Sequence, residues 1–306
     1  MNNLTPTKLP TRSNSQLAID EIILKEDEAK KLAEKLKSQL QTGKSLEAYE
    51  NQIEILIAGL GDRRGLIRRT FAESLGVIGI SAVPALCEAL LCHSNVIVRR
   101  AAAKTLKLVG DPSALPDLLQ ALMNDEDPVV QCSSAGAMAI FGERAVQHFL
   151  KVLANPNSSA MQCGLASWGL SFVGAEAPKA LREAAQSKNP LIKAAAIAAL
   201  GEQIQSLEDK AAKRILLQAL DDPDIEVRAE ATILLGKLSN SSWVKSLLIK
   251  RLNDLSSDVR KNAALSLMKL QVVEAINELQ KLLKKEEDIE VVKILKLAIK
   301  QLNHAA

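Results

Sequence analysis

Residues able to do chemistry are concentrated in one stretch, from Val130 to Gly174. It contains two of the four cysteines, Cys132 and Cys163, and one of the three histidines, His148. Two thiols and an imidazole are potential metal ligands, but the set falls short of a closed zinc site and has no Cys-x-x-Cys spacing. Buried cysteines commonly behave as inert small apolar residues. The sequence therefore predicts no metal site and no catalytic residue.

The same stretch holds four of the seven aromatic residues, Phe141, Phe149, Trp168 and Phe172. Aromatic residues make up only 2% of the chain, so Ala, Leu, Ile and Val must build the core. That composition suits closely packed helices. β-Branched residues occur at helical spacing and strict alternation is absent, so we expect an all-α fold.

The overall charge limits the partners. The 306 residues carry a net charge of +3, from 39 basic and 36 acidic side chains. A dedicated nucleic-acid binder should show a larger, clustered basic excess. Residues 1–15 are polar and lack the apolar segment of a signal peptide. No apolar run approaches the ~18 residues of a membrane span. We expect a cytoplasmic chain that neither binds nucleic acid nor inserts into a membrane.

Most of the chain is a repeat. Apolar anchor residues recur every 30–35 residues, a period typical of solenoids. The anchors are Ile67, Val98, Val130, Gln162 (the exception), Ile192, Val227, Val259 and Val291. Three residues earlier stand predicted helix N-caps, all but the first of a capping type: Arg64, Asn95, Asp127, Ser159, Asn189, Asp224, Ser256 and Asp288. The pattern predicts an α-solenoid of about eight antiparallel helix pairs.

Three segments are expected along the chain. Residues 1–15 are predicted to be a flexible tail. Residues 16–45 should carry an extra N-terminal helix, with its helical pattern over residues 16–41. Residues 46–306 should form the repeat domain, in which stacking of the pairs completes a core that no single pair can bury.

The second helices resemble HEAT repeats. The residues that carry this resemblance are DRRGLIRRTFAESLGVIG, NVIVRRAAAKTLKLVG, DDPDIEVRAEATILLGKL and SSDVRKNAALSLMKL. It covers roughly residues 46–300. It implies a right-handed superhelix whose second helices line the concave face. It also implies a ladder in which the basic residue after each anchor pairs with a preceding Asp. That residue is Arg68, Arg99, Lys193, Arg228 or Arg260 in five repeats, and the ladder lapses at Gln131 and Cys163.

The short, Ala-rich units are also similar to the repeats of cyanobacterial bilin lyase subunits and their relatives, which include factors that detach chromophores during phycobilisome breakdown. This resemblance implies a protein partner, a phycobiliprotein, and a linear tetrapyrrole as a transient ligand, with no resident cofactor. We expect a non-catalytic scaffold for chromophore attachment, detachment or phycobilisome turnover. One alternative is a bilin lyase subunit with phycocyanobilin lyase-type activity that needs a second subunit. Another is an assembly adaptor for an iron–sulfur scaffold protein.

A candidate binding surface follows from the repeat frame. Offsets +2, +6 and +9 from each anchor lie on one helical stripe opposite the core positions. We call this the stripe; it is charged in the first two repeats and nearly uncharged from the third to the seventh. Its candidate binding residues, with the adjacent Cys163, are Cys132, Gly136, Ala139, Cys163, Gly164, Trp168, Ser171, Ala198, Ile233, Leu265 and Met268.

Two alternatives for this surface stay open. The N-terminal helix could cover the stripe with its own apolar face. Trp168 could instead point inward and fill space left by Gly164 and Gly169. Beside the stripe, a basic edge of Arg63, Arg64, Arg69 and Arg100 would suit the two propionates of a linear tetrapyrrole. The same edge would also suit an acidic protein, or be plain solvated surface.

Overall fold

The computed structural model describes residues 22–42, 50–238 and 242–305. Within these ranges every regular element is helical, as the composition predicts. Residue contacts divide the chain into two compact units, one ending at Phe141 and the other beginning at Gly142. The predicted tail at residues 1–15 lies outside the described residues.

The extra N-terminal helix is α1, Glu26–Gln41. It was predicted from residue 16, but residues 22–25 are not helical, and residues 16–21 lie outside the described part. The backbone amide of Lys25 donates to the Glu28 carboxylate (3.1 Å), which marks the start of the helix. α1 packs on α3 (Gly65–Ile78). It therefore stacks on the first repeat as an additional second helix would.

Three helix pairs follow α1 in the described part of the first unit. Within each pair the two helices pack on each other, and successive second helices also pack together. The pairs are α2 (Glu50–Gly59) with α3, α4 (Val83–Cys92) with α5 (Val96–Val109), and α6 (Leu115–Asn124) with α7 (Pro128–Met138).

The second unit contains five further pairs among its described residues. They are α8 (Glu143–Ala154) with α9 (Ala160–Val173), α10 (Pro178–Ala184) with α11 (Pro190–Ala198), α13 (Lys210–Ala219) with α14 (Ile225–Leu235), α15 (Ser242–Arg251) with α16 (Ser257–Lys269), and α17 (Ile276–Leu283) with α18 (Ile289–Ala305). A short helix, α12 (Gly201–Gln205), is inserted after α11. It accounts for the longest spacing between anchors, from Ile192 to Val227. The eight predicted pairs are confirmed.

The positions of the predicted N-caps are confirmed, although the side chains of Arg64 and Ser256 make no capping hydrogen bond. Each of the eight residues immediately precedes a second helix. Asp127, for example, accepts hydrogen bonds from the backbone amides of Val129 and Val130 at 3.0 Å. Ser159 and Gln162 form a reciprocal capping box at the start of α9. These caps supply partners for amides that have none within the helix.

In the structure, the basic residue after an anchor pairs with a different carboxylate from the one that the HEAT resemblance implies. The guanidinium of Arg228 donates to the backbone carbonyl of Asp222, six residues earlier (2.9 Å). Its ion pair is with Asp254 of the following repeat, at 3.1 Å. Arg99–Asp125 and Arg260–Glu286 repeat both contacts, and Lys193–Asp222 repeats the ion pair. The expectation of a preceding Asp as ion-pair partner is wrong, because that residue offers its carbonyl while its carboxylate serves the previous repeat or the local turn.

One stretch has the length and apolar composition of a membrane span, namely residues 65–92. The structure does not keep it as one regular α-helix. α3 ends at Ile78, Gly79 adopts a positive φ of 73°, and α4 begins at Val83. Phe71, Leu75 and Leu86 of this stretch are fully buried. Val77 and Ile80 of the same stretch are exposed, so its apolar residues are divided between the core and the surface.

Candidate functional site

An aromatic pair occupies the exposed face of α9. The ring centroids of Trp168 and Phe172 lie 5.9 Å apart with an interplanar angle of 37°. Trp168 is 49% exposed and Phe172 is 59% exposed. Side chains four residues apart meet on one face of a helix. Met161, at the first turn of α9, is also exposed. We call Met161, Trp168 and Phe172 the aromatic patch.

The outward direction of Trp168 follows from the packing beneath it. A Cβ added to Gly169 would lie 2.3 Å from Cζ of Phe149, so this glycine lets the buried Phe149 ring of α8 reach the α9 backbone. A Cβ on Gly164 would meet nothing within 4 Å. The core space is therefore filled by Phe149. The alternative in which Trp168 packs into the core is wrong.

The other candidate residues of the stripe vary in exposure. Cys132, Gly164 and Ser171 are exposed, whereas Gly136, Cys163, Ala198, Ile233, Leu265 and Met268 are half-buried. Ala139 is 2% exposed, and its assignment to the stripe was wrong. α7 ends at Met138 and residues 139–141 form a 3-10 turn, so the helical offset no longer holds there.

The thiols and the histidine do not form a metal site. Among the described residues, no three His, Cys, Asp or Glu side chains are close enough together to hold an ion. His148 lies on α8, where its Nδ1 is 3.2 Å from the carbonyl oxygen of Arg144. Cys87 is buried in α4, and burial raises the pKa of its thiol. Burial therefore favours the neutral thiol over the nucleophilic thiolate.

Much of the predicted basic edge lines one groove in the first unit. The groove has a volume of about 660 Å³ and lies between α3, α5 and the first turn of α7. Its cations are Arg63, Arg68, Arg69, Arg100 and Lys104, and its apolar wall is Ile97, Leu108 and Val129. No acidic residue lines it. We call it the basic groove. Arg64 points elsewhere, to the Asp62 carboxylate and the carbonyl of Glu26, both at 2.7 Å.

Only two of the five cations are paired with carboxylates. Arg100 donates to both oxygens of Asp127, at 2.8 and 2.5 Å, and the Arg100 guanidinium lowers the pKa of Asp127 to about 2. Arg69 pairs with Glu73 on the helix surface at 2.6 Å. Arg63, Arg68 and Lys104 form no ion pair with another described residue. The groove therefore has an uncompensated positive charge.

The corresponding surface of the second unit has the opposite charge. A groove of about 610 Å³ lies between the first turns of α14 and α16. Asp224, Glu226, Glu230 and Asp258 line it, with Lys261 as its one cation. Burial raises the pKa of Glu230. The sequence predicted a nearly uncharged stripe in these repeats, because the stripe is defined by offsets +2, +6 and +9. Glu226 and Glu230 lie at offsets −1 and +3, outside that definition.

Sequence reasoning also missed an apolar row in the first unit. Val77, Leu108 and Ile140 occupy offset +10, and all three are exposed. At the same offset the fourth repeat has Phe172, which is also exposed, whereas Lys237 and Lys269 of the sixth and seventh repeats are charged. A comparison of every helix offset across the repeats would have found this contrast. Leu108 of this row also lines the basic groove.

Comparison with known proteins identifies the family of the chain. HEAT repeats match residues 53–139, 83–166 and 213–300. The bilin biosynthesis protein MpeU of Synechococcus sp. (strain WH8020) is 46% identical over 279 residues, 91% of this chain and 94% of that protein.

Two solved structures are among those similar to the chain. A Kap121p mutant matches 95% of this chain and 43% of its own, with 13% identity and a TM-score of 0.50. The CpcE–CpcF complex of phycocyanin lyase from Nostoc sp. PCC7120 matches 60% of this chain and 98% of its own, with 24% identity and a TM-score of 0.31. Of the two, only the Kap121p match bears on the fold, and it bears on the fold alone. The matched repeats, together with 46% identity over most of both chains, show that the chain belongs to the HEAT-repeat family and, within it, to the family of the bilin biosynthesis protein MpeU.

Proposed function

We propose that this chain handles the bilin chromophore of a phycobiliprotein, as a non-catalytic binding protein that holds the partner on its HEAT repeats. The observation that carries the proposal is the 46% identity to a bilin biosynthesis protein over 91% of the chain. Identity at that level and coverage favours a shared substrate class.

The geometry supports a binding role. The aromatic patch exposes Trp168 and Phe172 on a helix held in place by a capped N-terminus and by the Phe149–Gly169 contact. Exposed aromatic side chains on a rigid element are typical centres of protein interfaces. We assign this patch to the phycobiliprotein partner.

Two measurements test the proposal. Phycocyanobilin is titrated with the purified chain while its visible absorption is recorded, and immobilised chain is tested for capture of a phycobiliprotein subunit with and without its bilin. We expect a saturable change in the pigment spectrum and specific capture. A spectrum that does not change, together with no capture of either form of the subunit, would overturn the proposal. Covalent transfer of bilin by the chain alone would replace the non-catalytic role with a lyase activity.

A further inference from the structure

We propose that the basic groove of the first unit binds the two propionate carboxylates of the bilin, with the pigment's apolar body against Ile97, Leu108 and Val129. This inference rests on the proposed function and deepens it by naming the ligand's site. It separates pigment binding in the first unit from partner binding at the aromatic patch in the second.

The charge of the groove selects an anion. Arg63, Arg68 and Lys104 have no carboxylate partner among the described residues, and none of the lining residues is acidic. A guanidinium presents a planar fork of donors that matches the two oxygens of a carboxylate. Two arginines and a lysine in one groove therefore favour a ligand with more than one carboxylate.

Arg68 is held in position for this role. Its Nη1 donates to the backbone carbonyl of Asp62 at 2.6 Å, which fixes one end of the guanidinium. In the second unit the corresponding Arg228 and Arg260 each donate to such a carbonyl and also pair with a carboxylate. Arg68 has the carbonyl bond without the carboxylate. Its remaining donors are available to a ligand.

The apolar wall selects against a small inorganic anion. Leu108 is exposed beside the cations, and Val129 is exposed at the start of α7. Apolar side chains left in water beside fixed cations favour a ligand that has both an apolar body and carboxylates. The groove volume of about 660 Å³ is within the range of about 300–1,000 Å³ that is usual for such ligands.

This charge is not a general consequence of stacked HEAT helices. The acidic groove is built from corresponding offsets of α14 and α16, and there Asp258 stands where Ile97 stands in the basic groove. The same repeat architecture thus carries two grooves of opposite charge. The basic groove is a property of the first unit's own side chains.

The test uses the full chain and two forms of the pigment. Phycocyanobilin and its dimethyl ester, in which both propionates are neutral, are titrated by visible absorption against three proteins. These are the wild type, the double variant Arg63→Ala/Lys104→Ala, and the control Lys37→Ala/Lys296→Ala. Arg63 and Lys104 make no ion pair with another described residue, so their removal should leave the fold unchanged. The control loses the same charge from exposed positions on α1 and α18.

We expect the groove variant to raise the Kd of the diacid by about tenfold or more, because two charge-assisted contacts are lost. The control should bind the diacid as the wild type does. The ester should bind wild type about as weakly as the diacid binds the groove variant. Equal diacid binding by wild type and groove variant, or equal binding of ester and diacid by wild type, would overturn the inference while leaving pigment handling intact. If the wild type binds neither form, pigment handling itself fails and the inference fails with it.

Discussion

The indole of Trp168 and the phenyl ring of Phe172 lie 5.9 Å apart on the exposed face of α9. One turn of helix separates them, and about half of each residue is exposed to solvent. Two aromatic rings at this separation attract each other. An exposed pair of this kind presents a preformed contact to a partner without any change in the helix that carries it.

Trp168→Ala should weaken capture of the phycobiliprotein subunit by about tenfold or more, as expected for an aromatic hot spot. The far-UV circular dichroism should not change, because half of the side chain is already in solvent. The measurement is a capture titration of wild type and variant side by side. The matched control is Trp243→Ala, which removes the other tryptophan, a residue stacked on Lys213 at 4.0 Å on a different helix. If both substitutions weaken capture equally, the assignment of the patch is wrong.

Gly169→Ala should lower the free energy of unfolding by about 1–3 kcal/mol, since the new methyl group would collide with the buried Phe149 ring. Gly164→Ala lies in the same helix but meets open space. It should raise the free energy of unfolding by up to about 1 kcal/mol through helix propensity. Urea denaturation of the two variants gives both values. The same sign for both would contradict the packing described for α9.

Arg228→Gln should lower the free energy of unfolding by about 2–3 kcal/mol. It leaves Asp254, only 6% exposed, without its main cation. The loss should stay below that of a fully isolated charge because Arg251 remains 3.8 Å from Asp254. Lys261→Gln, which breaks an exposed pair with Asp258, is the control and should cost at most about 1 kcal/mol. Chemical denaturation measures both, and a larger loss for Lys261→Gln would argue against the ladder as a stabilising element.

Glu230→Gln should make the chain more stable at neutral pH than wild type. Burial raises the pKa of Glu230 in the folded chain, so the folded state holds this proton more tightly than the unfolded state does. The corresponding contribution to the free energy of unfolding is complete below the ordinary carboxyl pKa of 4.5 and is lost as pH rises through the folded value. The gain in Tm for the variant should therefore be largest near about pH 8 and vanish near about pH 4. A gain that is the same at both pH values would contradict this account.

The sequence was most informative where structure depends on local chemistry. Ser159, Asn189 and Asp224 were identified as helix caps from residue type and spacing alone, since a cap is satisfied within three residues of itself. It was less informative where partners come from another repeat. The carboxylate partner of Arg228 lies 26 residues downstream, and only the stacking geometry selects Asp254 over Asp222.

The candidate site shows the same division. The exposure of Trp168 followed from the helix offset, but the choice between surface and core depended on Phe149, whose ring approaches through Gly169. Ala139 was misplaced because α7 stops one residue before it. The basic groove was not predicted as a groove, because residue spacing does not give the depth of the space between α3 and α5.

The proposed function requires that the chain bind a bilin and also the phycobiliprotein that carries this chromophore. The most direct measurement is the visible spectrum of phycocyanobilin during titration with the purified chain, followed by addition of a phycobiliprotein subunit that lacks its bilin. We predict a saturable change in the pigment band on titration and a second change when the subunit is added. A pigment spectrum that is unchanged at both steps would contradict the account.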